Sequence, residues 1–229
     1  MATADSRTDE ASIESIRAKP TLRGVSHEIS FYVSLAATSW LVAIAKGRAQ
    51  VAACVVYGAS IAILFGVSAL YHRVTWTVAG RQRMRRFDHA AIFVMIAGGY
   101  TPLFALVPSA SGSHWPLAAI WIGAAIGVVK SLLWAHAPKW MTAALCVILG
   151  WAVVMPVFER LPVAGTASIG LVVASGIVYS LGAVVYATKR PDPLPASFGY
   201  HEVFHALVVL ATMLHFGHAV LLLGATASS

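Results

Sequence analysis

Seven apolar stretches of about 20 residues dominate this sequence and limit what the chain can fold into. Runs of this length match membrane-spanning helices and are too long for buried strands. The seven candidate spans cover residues 28–45, 50–72, 88–107, 115–135, 140–158, 164–187 and 202–224. The sequence therefore predicts an all-α, polytopic membrane protein built as a bundle of seven transmembrane helices.

The composition excludes several other protein classes. Of the 229 residues, 59% are hydrophobic and 11% are charged, whereas a soluble domain has roughly 45–50% apolar and about 25% charged residues. So few charges exclude a soluble enzyme, a disordered chain and a DNA-binding domain. The net charge of +7 fits basic loops that contact anionic lipid headgroups, so we expect membrane lipids rather than nucleic acid as partners.

The basic residues also predict how the chain lies in the cell membrane. Residues 1–24 form a polar tail without the apolar segment of a signal peptide, and residues 25–229 form the transmembrane domain. With the N-terminus inside, thirteen Lys and Arg residues face the cytoplasm, five of them in a predicted loop at 73–86, and three face outward. Because basic residues concentrate in cytoplasmic loops, the N-terminus is predicted inside and the C-terminus outside.

Ionisable residues lie at the predicted cytoplasmic ends of three spans. His72 ends the second span, Asp88 begins the third, and His201 and His205 begin the seventh, while Ser68 precedes His72 by one helical turn. Such groups at membrane depth are costly and call for a functional or structural reason.

The spacing of these histidines suits a zinc site. His201 and His205 are four residues apart and share a helix face, where two imidazoles can bind one metal ion, and His72 could supply a third nitrogen. Three protein ligands with an open fourth position are typical of catalytic zinc. Asp88 would then be a fourth ligand or would hold a zinc-bound water. On spacing alone, packed histidines that are hydrogen-bonded to backbone or serine remain the alternative.

The other histidines are expected to have structural or interfacial roles. Solvation at the membrane interface explains those at span ends and in loops: His27, His89, His114 and His136. His215 shares the helix face of His201 but lies about 21 Å further along the helix, too far to bind the same metal ion. We expect His215 and His218 to form hydrogen bonds in the core, although either could line a polar cavity instead.

The strings around these residues resemble the haemolysin III family. They are Ser68-Ala69-Leu70-Tyr71-His72, Phe87-Asp88-His89-Ala90-Ala91-Ile92-Phe93, Ile96-Ala97-Gly98-Gly99-Tyr100-Thr101-Pro102 and His201-Glu202-Val203-Phe204-His205. This family is the bacterial branch of the progestin and adipoQ receptors and is related to alkaline ceramidases. The resemblance covers nearly the whole chain, from about residue 23 to residue 224.

The resemblance implies a seven-helix bundle with an intracellular N-terminus. It implies a zinc ion near the cytoplasmic side, bound by His72, His201 and His205, with Asp88 near the zinc water and Ser68 as the family's serine. One segment departs from the pattern. Relatives often carry an asparagine and a Thr-His pair near an acidic residue at the start of the first span. Here residues 24–28 lack the asparagine, and Glu28 is the candidate acidic residue.

Three functions are consistent with these observations. The leading one is a zinc-dependent, ceramidase-like hydrolase of a lipid amide or ester, in which Asp88 orients water or takes its proton and Ser68 steadies His72 or the developing oxyanion. The second is a receptor-like or lipid-sensing protein with structural zinc. The third, suggested by the family name, is a cytolytic protein, although no charged ring runs through the predicted bundle.

Overall fold

A computed structural model of the chain describes residues 20–107, 112–134 and 138–227. These residues form nine helices: α1 Val25–Ile44, α2 Gly47–Arg73, α3 Val78–Leu106, α4 Trp115–Leu133, α5 Lys139–Trp151, α6 Val154–Phe158, α7 Leu161–Ala164, α8 Thr166–Thr188 and α9 Tyr200–Thr226. Within these ranges the pairing of extended backbone is limited to a single bridge between Leu194 and Phe198. The all-α class is confirmed, while most of the predicted tail lies outside the described residues.

Six helical segments are long and apolar enough to cross a membrane. They are Gly47–Arg73, Val78–Leu106, Trp115–Leu133, Trp140–Phe158, Thr166–Thr188 and Tyr200–Thr226. Helix α1 has 20 residues but does not belong to this set, and its first turn carries the polar residues Ser26, His27 and Glu28. The molecule is therefore a multi-pass membrane protein, with six segments that meet the criteria for a span.

Helix α3 begins ten residues earlier than the predicted third span, so the predicted loop at 73–86 was wrong for most of its length. The cause is the cap at Thr77, whose hydroxyl accepts a hydrogen bond from the backbone nitrogen of Gly80 at 3.1 Å. Arginine also favours helices. Arg81 and Arg85 consequently lie in the first turns of α3 rather than in a loop.

The predicted span at 140–158 is two helices separated by a turn at residues 152–153. Pro156 explains this break, because proline has no N–H to donate to the carbonyl of Ala152 and its ring would clash with that carbonyl in a continuous helix. Helix α6 starts just before this proline and carries the chain on to Phe158.

The bundle is packed tightly at its small residues. Helix α2 packs against α1 and α3, α3 against α4, and α8 along α9. A Cβ atom on Gly98 would lie 1.9 Å from the Ser60 hydroxyl, and one on Gly127 would lie 2.2 Å from the Phe93 ring. These two glycines let α3 approach α2 and let α4 approach α3, as small residues do in membrane bundles.

Candidate metal centre

Three histidines from two helices meet at one end of the bundle. His72 lies in the last turn of α2, and His201 and His205 lie in the first two turns of α9. One ring nitrogen of each lies within 4.8 Å of the others, and the Nε2 atoms of His72 and His201 are 3.2 Å apart. His72 and His205 are buried and His201 is half-buried. The structure thus brings the three predicted ligands together.

The start of α9 is fixed by two acidic side chains. Asp192 Oδ1 accepts a hydrogen bond from the backbone nitrogen of Tyr200 at 2.8 Å, and Glu202 Oε2 accepts one from that of Gly199 at 2.9 Å. These bonds satisfy amide groups that the first turn of a helix leaves without partners. They hold His201 and His205 at a defined height opposite the end of α2.

The donor set fits a zinc ion. Zinc binds imidazole nitrogens at about 2.0–2.1 Å in tetrahedral geometry, which places ligand atoms about 3.3 Å apart. The separation of 3.2 Å between His72 and His201 matches this spacing, and the 4.8 Å limit for the group leaves only a small side-chain adjustment. Such a site would take three nitrogens from the protein and leave a fourth position open.

Ser68 and Asp88 line the same cavity as the three histidines. The Ser68 side chain, buried one turn before His72, interacts with the half-buried carboxyl group of Asp88 on α3. Asp88 does not belong to the group of close ligand atoms found among the described residues.

A cavity of about 1740 Å³ extends from the three histidines into the bundle. Ser68 and Asp88 line its wall with the histidines, as does the exposed side chain of Arg81, so the cavity opens at the arginine-rich end of α3. Its far part is lined by Val172 and Ser175 of α8. The candidate metal centre therefore faces an internal space rather than a closed core.

His27 is the site residue that sequence reasoning missed. It was expected to be solvated at the interface, but only 2% of its surface is exposed, and its ring stacks on that of His205 with centroids 3.8 Å apart and planes 5° apart. The position of His27 at the start of α1 could have indicated that it lies near the site. Helices α1 and α2 are antiparallel neighbours, so the start of α1, with His27, and the end of α2, with His72, lie at the same end of the bundle.

The remaining histidines divide between surface, cavity and core. His114 is exposed as expected, His136 lies outside the described residues, and His89 is half-buried, 3.3 Å from the Tyr186 hydroxyl. His215 and His218 are buried in hydrogen bonds with Ser175, Gly99 and Ser168. The hydrogen bonds predicted for these last two are confirmed, and His215 also lines the cavity, the other role considered for it.

Glu28, the candidate acidic residue of the first span, does not belong to the group of close ligand atoms found among the described residues. Its carboxylate pairs with Arg73 at 2.7 Å, and both side chains are more than two-fifths exposed. Glu202, which follows His201 in α9, is buried and paired with Arg23.

Comparison with known proteins gives this arrangement a family. Residues 16–216 match the model of the family described as haemolysin-III related. The chain belongs to the haemolysin III family. It is 30% identical to Hemolysin-3 of Bacillus cereus over 194 residues, which cover 81% of this chain and 83% of that protein.

More distant relatives extend the comparison. The chain is 26% identical to a Hemolysin-3 homolog of Bacillus subtilis over 81% of its own length and 85% of the relative's. It is 25% identical to the human monocyte to macrophage differentiation factor over 70% of its own length and 66% of the relative's. The family recognised in the sequence is confirmed, and the chain is a multi-pass protein of the cell membrane.

Proposed function

We propose that this protein is a zinc-dependent membrane hydrolase that cleaves an amide or ester bond of a lipid-like substrate. One observation carries the proposal: three imidazole nitrogens lie within 4.8 Å of one another in the wall of a large cavity that the carboxyl group of Asp88 also lines. His72, His201 and His205 would hold the metal ion, and Asp88 and Ser68 would act on the water and the substrate.

The proposed orientation places this chemistry at the cytoplasmic side. We include α1 as a seventh span, with the N-terminus inside and the C-terminus outside, because thirteen of the sixteen Lys and Arg residues would then face the cytoplasm. The histidines share their end of the bundle with Arg81 and Arg85 of α3, which is consistent with this orientation.

The chain's own groups account for the proton movements. His72, His201 and His205 would hold a zinc ion, which would lower the pKa of a bound water to about 7. A carboxylate oxygen of Asp88 accepts a proton as the water oxygen bonds to the substrate carbonyl carbon, and it returns that proton to the leaving amine or alcohol as the old bond breaks. The Ser68 hydroxyl, which interacts with Asp88, would orient this carboxylate.

The deeper cavity suits an acyl chain. Polar groups on its wall are already bonded within the protein: the Tyr100 hydroxyl donates to the Gly150 carbonyl at 2.8 Å, and Trp151 Nε1 donates to the Ser180 hydroxyl at 3.0 Å. A hydrocarbon chain can pass such satisfied groups without leaving buried donors unpaired. Small-molecule pockets have about 300–1,000 Å³, so this cavity has room for a chain together with part of a headgroup.

The proposal is tested by substrate turnover in purified protein. Zinc, iron and cobalt would be measured per chain in mild detergent without a histidine tag, and long-chain amides and esters would be screened before and after chelation.

Asp88→Asn should lower turnover about 10²–10⁴-fold with unchanged metal content, because it removes the proton acceptor. Glu159→Gln, a change at an exposed acid near the other end of the bundle, should leave turnover unchanged. Full turnover in Asp88→Asn would overturn the role of Asp88.

A receptor-like or lipid-sensing protein with structural zinc is the second candidate. The observation that favours it is that the three histidines join the end of α2 to the start of α9. A metal ion there would tie two helices together and contribute to folding. Chelation would then lower the melting temperature while the lipid screen detects no turnover.

A cytolytic function is the third candidate, and it rests on the name of the Bacillus cereus relative. The cavity is lined at one end by charged side chains and ends among apolar ones such as Val157 and Val172. A defined single-channel conductance in planar bilayers would support this candidate over the hydrolase.

A further inference from the structure

Helix α1 contributes a flat ring to the candidate metal centre without belonging to the group of three ligands. The imidazole of His27 lies face to face with that of His205, with centroids 3.8 Å apart and planes 5° apart. On α2, the ring of Phe65 meets His27 edge-on at 5.0 Å. The rings of His27 and His205 thus form a stack, and the ring of Phe65 contacts this stack edge-on. The three rings come from three different helices.

This stack covers the face of His205 and leaves its edge directed at the other two histidines. The centroids of His201 and His72 lie 4.5 Å and 5.0 Å from that of His205, at interplanar angles of 54° and 64°. Metal ligation uses the ring edge, where the nitrogens lie, so a neighbour on the face can restrict rotation of the ring without competing for the metal ion. Groups that orient a ligand in this way usually contribute to metal affinity.

Two further contacts hold the start of α1 against the same three histidines. Gly24 has φ +80°, and a Cβ atom added to it would lie 2.6 Å from the Cβ of His72. Arg23 forms an ion pair with Glu202. Glu202 is buried, and in the sequence of α9 it lies between His201 and His205. The backbone of α1 therefore approaches His72 closely, and its first residues are fastened to α9.

From these contacts we infer that His27 is a positioning residue, which sets the orientation of His205 and thereby raises the affinity of the centre for its metal ion. The inference rests on the metal site in the proposed function, but not on hydrolysis. Its physical basis is entropic: a buried side chain that is already held in one rotamer loses less freedom when it binds a ligand.

The sharpest test compares His27→Phe with His27→Leu. Both side chains fill the buried space, but only phenylalanine offers a flat ring that can stack on His205. Cobalt(II) would be titrated into each metal-free protein against a competing chelator, with its visible absorption spectrum as a report of ligand geometry. His27→Leu should weaken cobalt binding about 10–100-fold and change the spectrum, while His27→Phe should stay within about threefold of wild type.

Phe31→Ala is the matched control on the same helix. The Phe31 ring packs against Gly66 of α2, at 3.0 Å from the position of a Cβ there, so its loss weakens the packing of α1 at a different level of the helix. We expect this variant to melt at a lower temperature yet bind cobalt with wild-type affinity. Melting temperatures would be measured in the metal-free proteins, so that stability and affinity are read separately.

Each outcome bears on one claim. Equal affinities and spectra for His27→Leu and His27→Phe would overturn the positioning role while leaving the metal site in place, and so would a loss of affinity in Phe31→Ala as large as that in His27→Leu. A wild-type protein that binds no cobalt would remove the metal site and this inference together. Cobalt binding without hydrolysis of any lipid would remove the hydrolase only.

Discussion

Helix α9 carries two pairs of histidines that lie in opposite surroundings. His201 and His205 near its start converge with His72, and the Nε2 atoms of His201 and His72 are 3.2 Å apart. Nearer its end, His215 Nε2 lies 2.8 Å from the Gly99 carbonyl oxygen, and His218 Nδ1 lies 2.8 Å from the Ser168 hydroxyl. The first pair faces other imidazoles, whereas the second pair faces oxygen atoms.

This difference separates a ligand site from a structural polar core. An imidazole nitrogen that faces a carbonyl or hydroxyl oxygen has a hydrogen-bond partner and is stable at membrane depth. Imidazole nitrogens that converge on one another can share protons in hydrogen bonds, and they can also bind one metal ion together. Substitutions in the two pairs should therefore have different effects on metal content and on stability.

The double substitution His201→Ala/His205→Ala should abolish metal binding. Wild-type protein purified without chelator is expected to hold about one zinc ion per chain, and the double variant none, because one imidazole cannot form the site alone. His215→Ala should keep the wild-type metal content, although it loses stability. Elemental analysis of all three proteins checks this contrast, and metal retained in the double variant would show that the ion binds elsewhere.

Gly24→Ala should disturb the site through His72. The substitution combines a backbone angle that disfavours a side chain with a Cβ atom 2.6 Å from that of His72. We expect a loss of about 1–3 kcal/mol of stability and about tenfold weaker metal binding, measured by thermal melting and by metal titration.

Gly47→Ala is the control for Gly24→Ala. Gly47 has a similar φ of +76° but no atom within 4 Å of an added Cβ. It should share the loss of stability and keep the metal affinity. Equal metal affinities in the two variants would show that the approach of α1 to His72 has no bearing on the site.

Ser175→Ala should destabilise the protein without affecting metal binding. The Ser175 hydroxyl lies 3.1 Å from His215 Nδ1, and its removal leaves that buried nitrogen without this partner, at a cost of about 1–3 kcal/mol. Ser39→Ala, at an exposed serine bonded to the Leu35 carbonyl, should cost less than about 0.5 kcal/mol. Metal affinity that fell in Ser175→Ala would contradict the division of α9 into two independent pairs.

The sequence predicts the long helices and the three grouped histidines because both depend on local patterns. Apolar run length identifies helices such as α2 and α9, and the spacing of His201 and His205 fixes a shared face before any tertiary structure is known. The end of one span and the start of another then bring in His72. Most of the candidate site residues could therefore be predicted from their positions near the ends of spans.

The features that were missed depend on contacts between neighbouring groups. The early start of α3 follows from one hydroxyl, at Thr77, and the break before α6 from one proline. The burial of His27 depends on α1 packing against both α2 and α9, which an apolar pattern does not encode. Helix α1 carries a polar first turn, and one residue of that turn, His27, stacks on His205.

The last prediction compares two ion pairs near the start of α1, one made by Glu28 of the helix and one by Arg23 just before it. The pair of Glu28 with Arg73 is more than two-fifths exposed on both sides, so Glu28→Gln should change stability by less than about 1 kcal/mol and leave metal affinity within about twofold. Glu202 is buried, pairs with Arg23 and also accepts the Gly199 amide hydrogen bond, so Glu202→Gln should cost more, about 1.5–3 kcal/mol. Chemical denaturation and metal titration of both variants measure the difference. A tenfold loss of metal affinity in Glu28→Gln would show that Glu28 acts at the site as the acidic residue of the first span. In the predicted order of effects, Glu202→Gln has the larger effect.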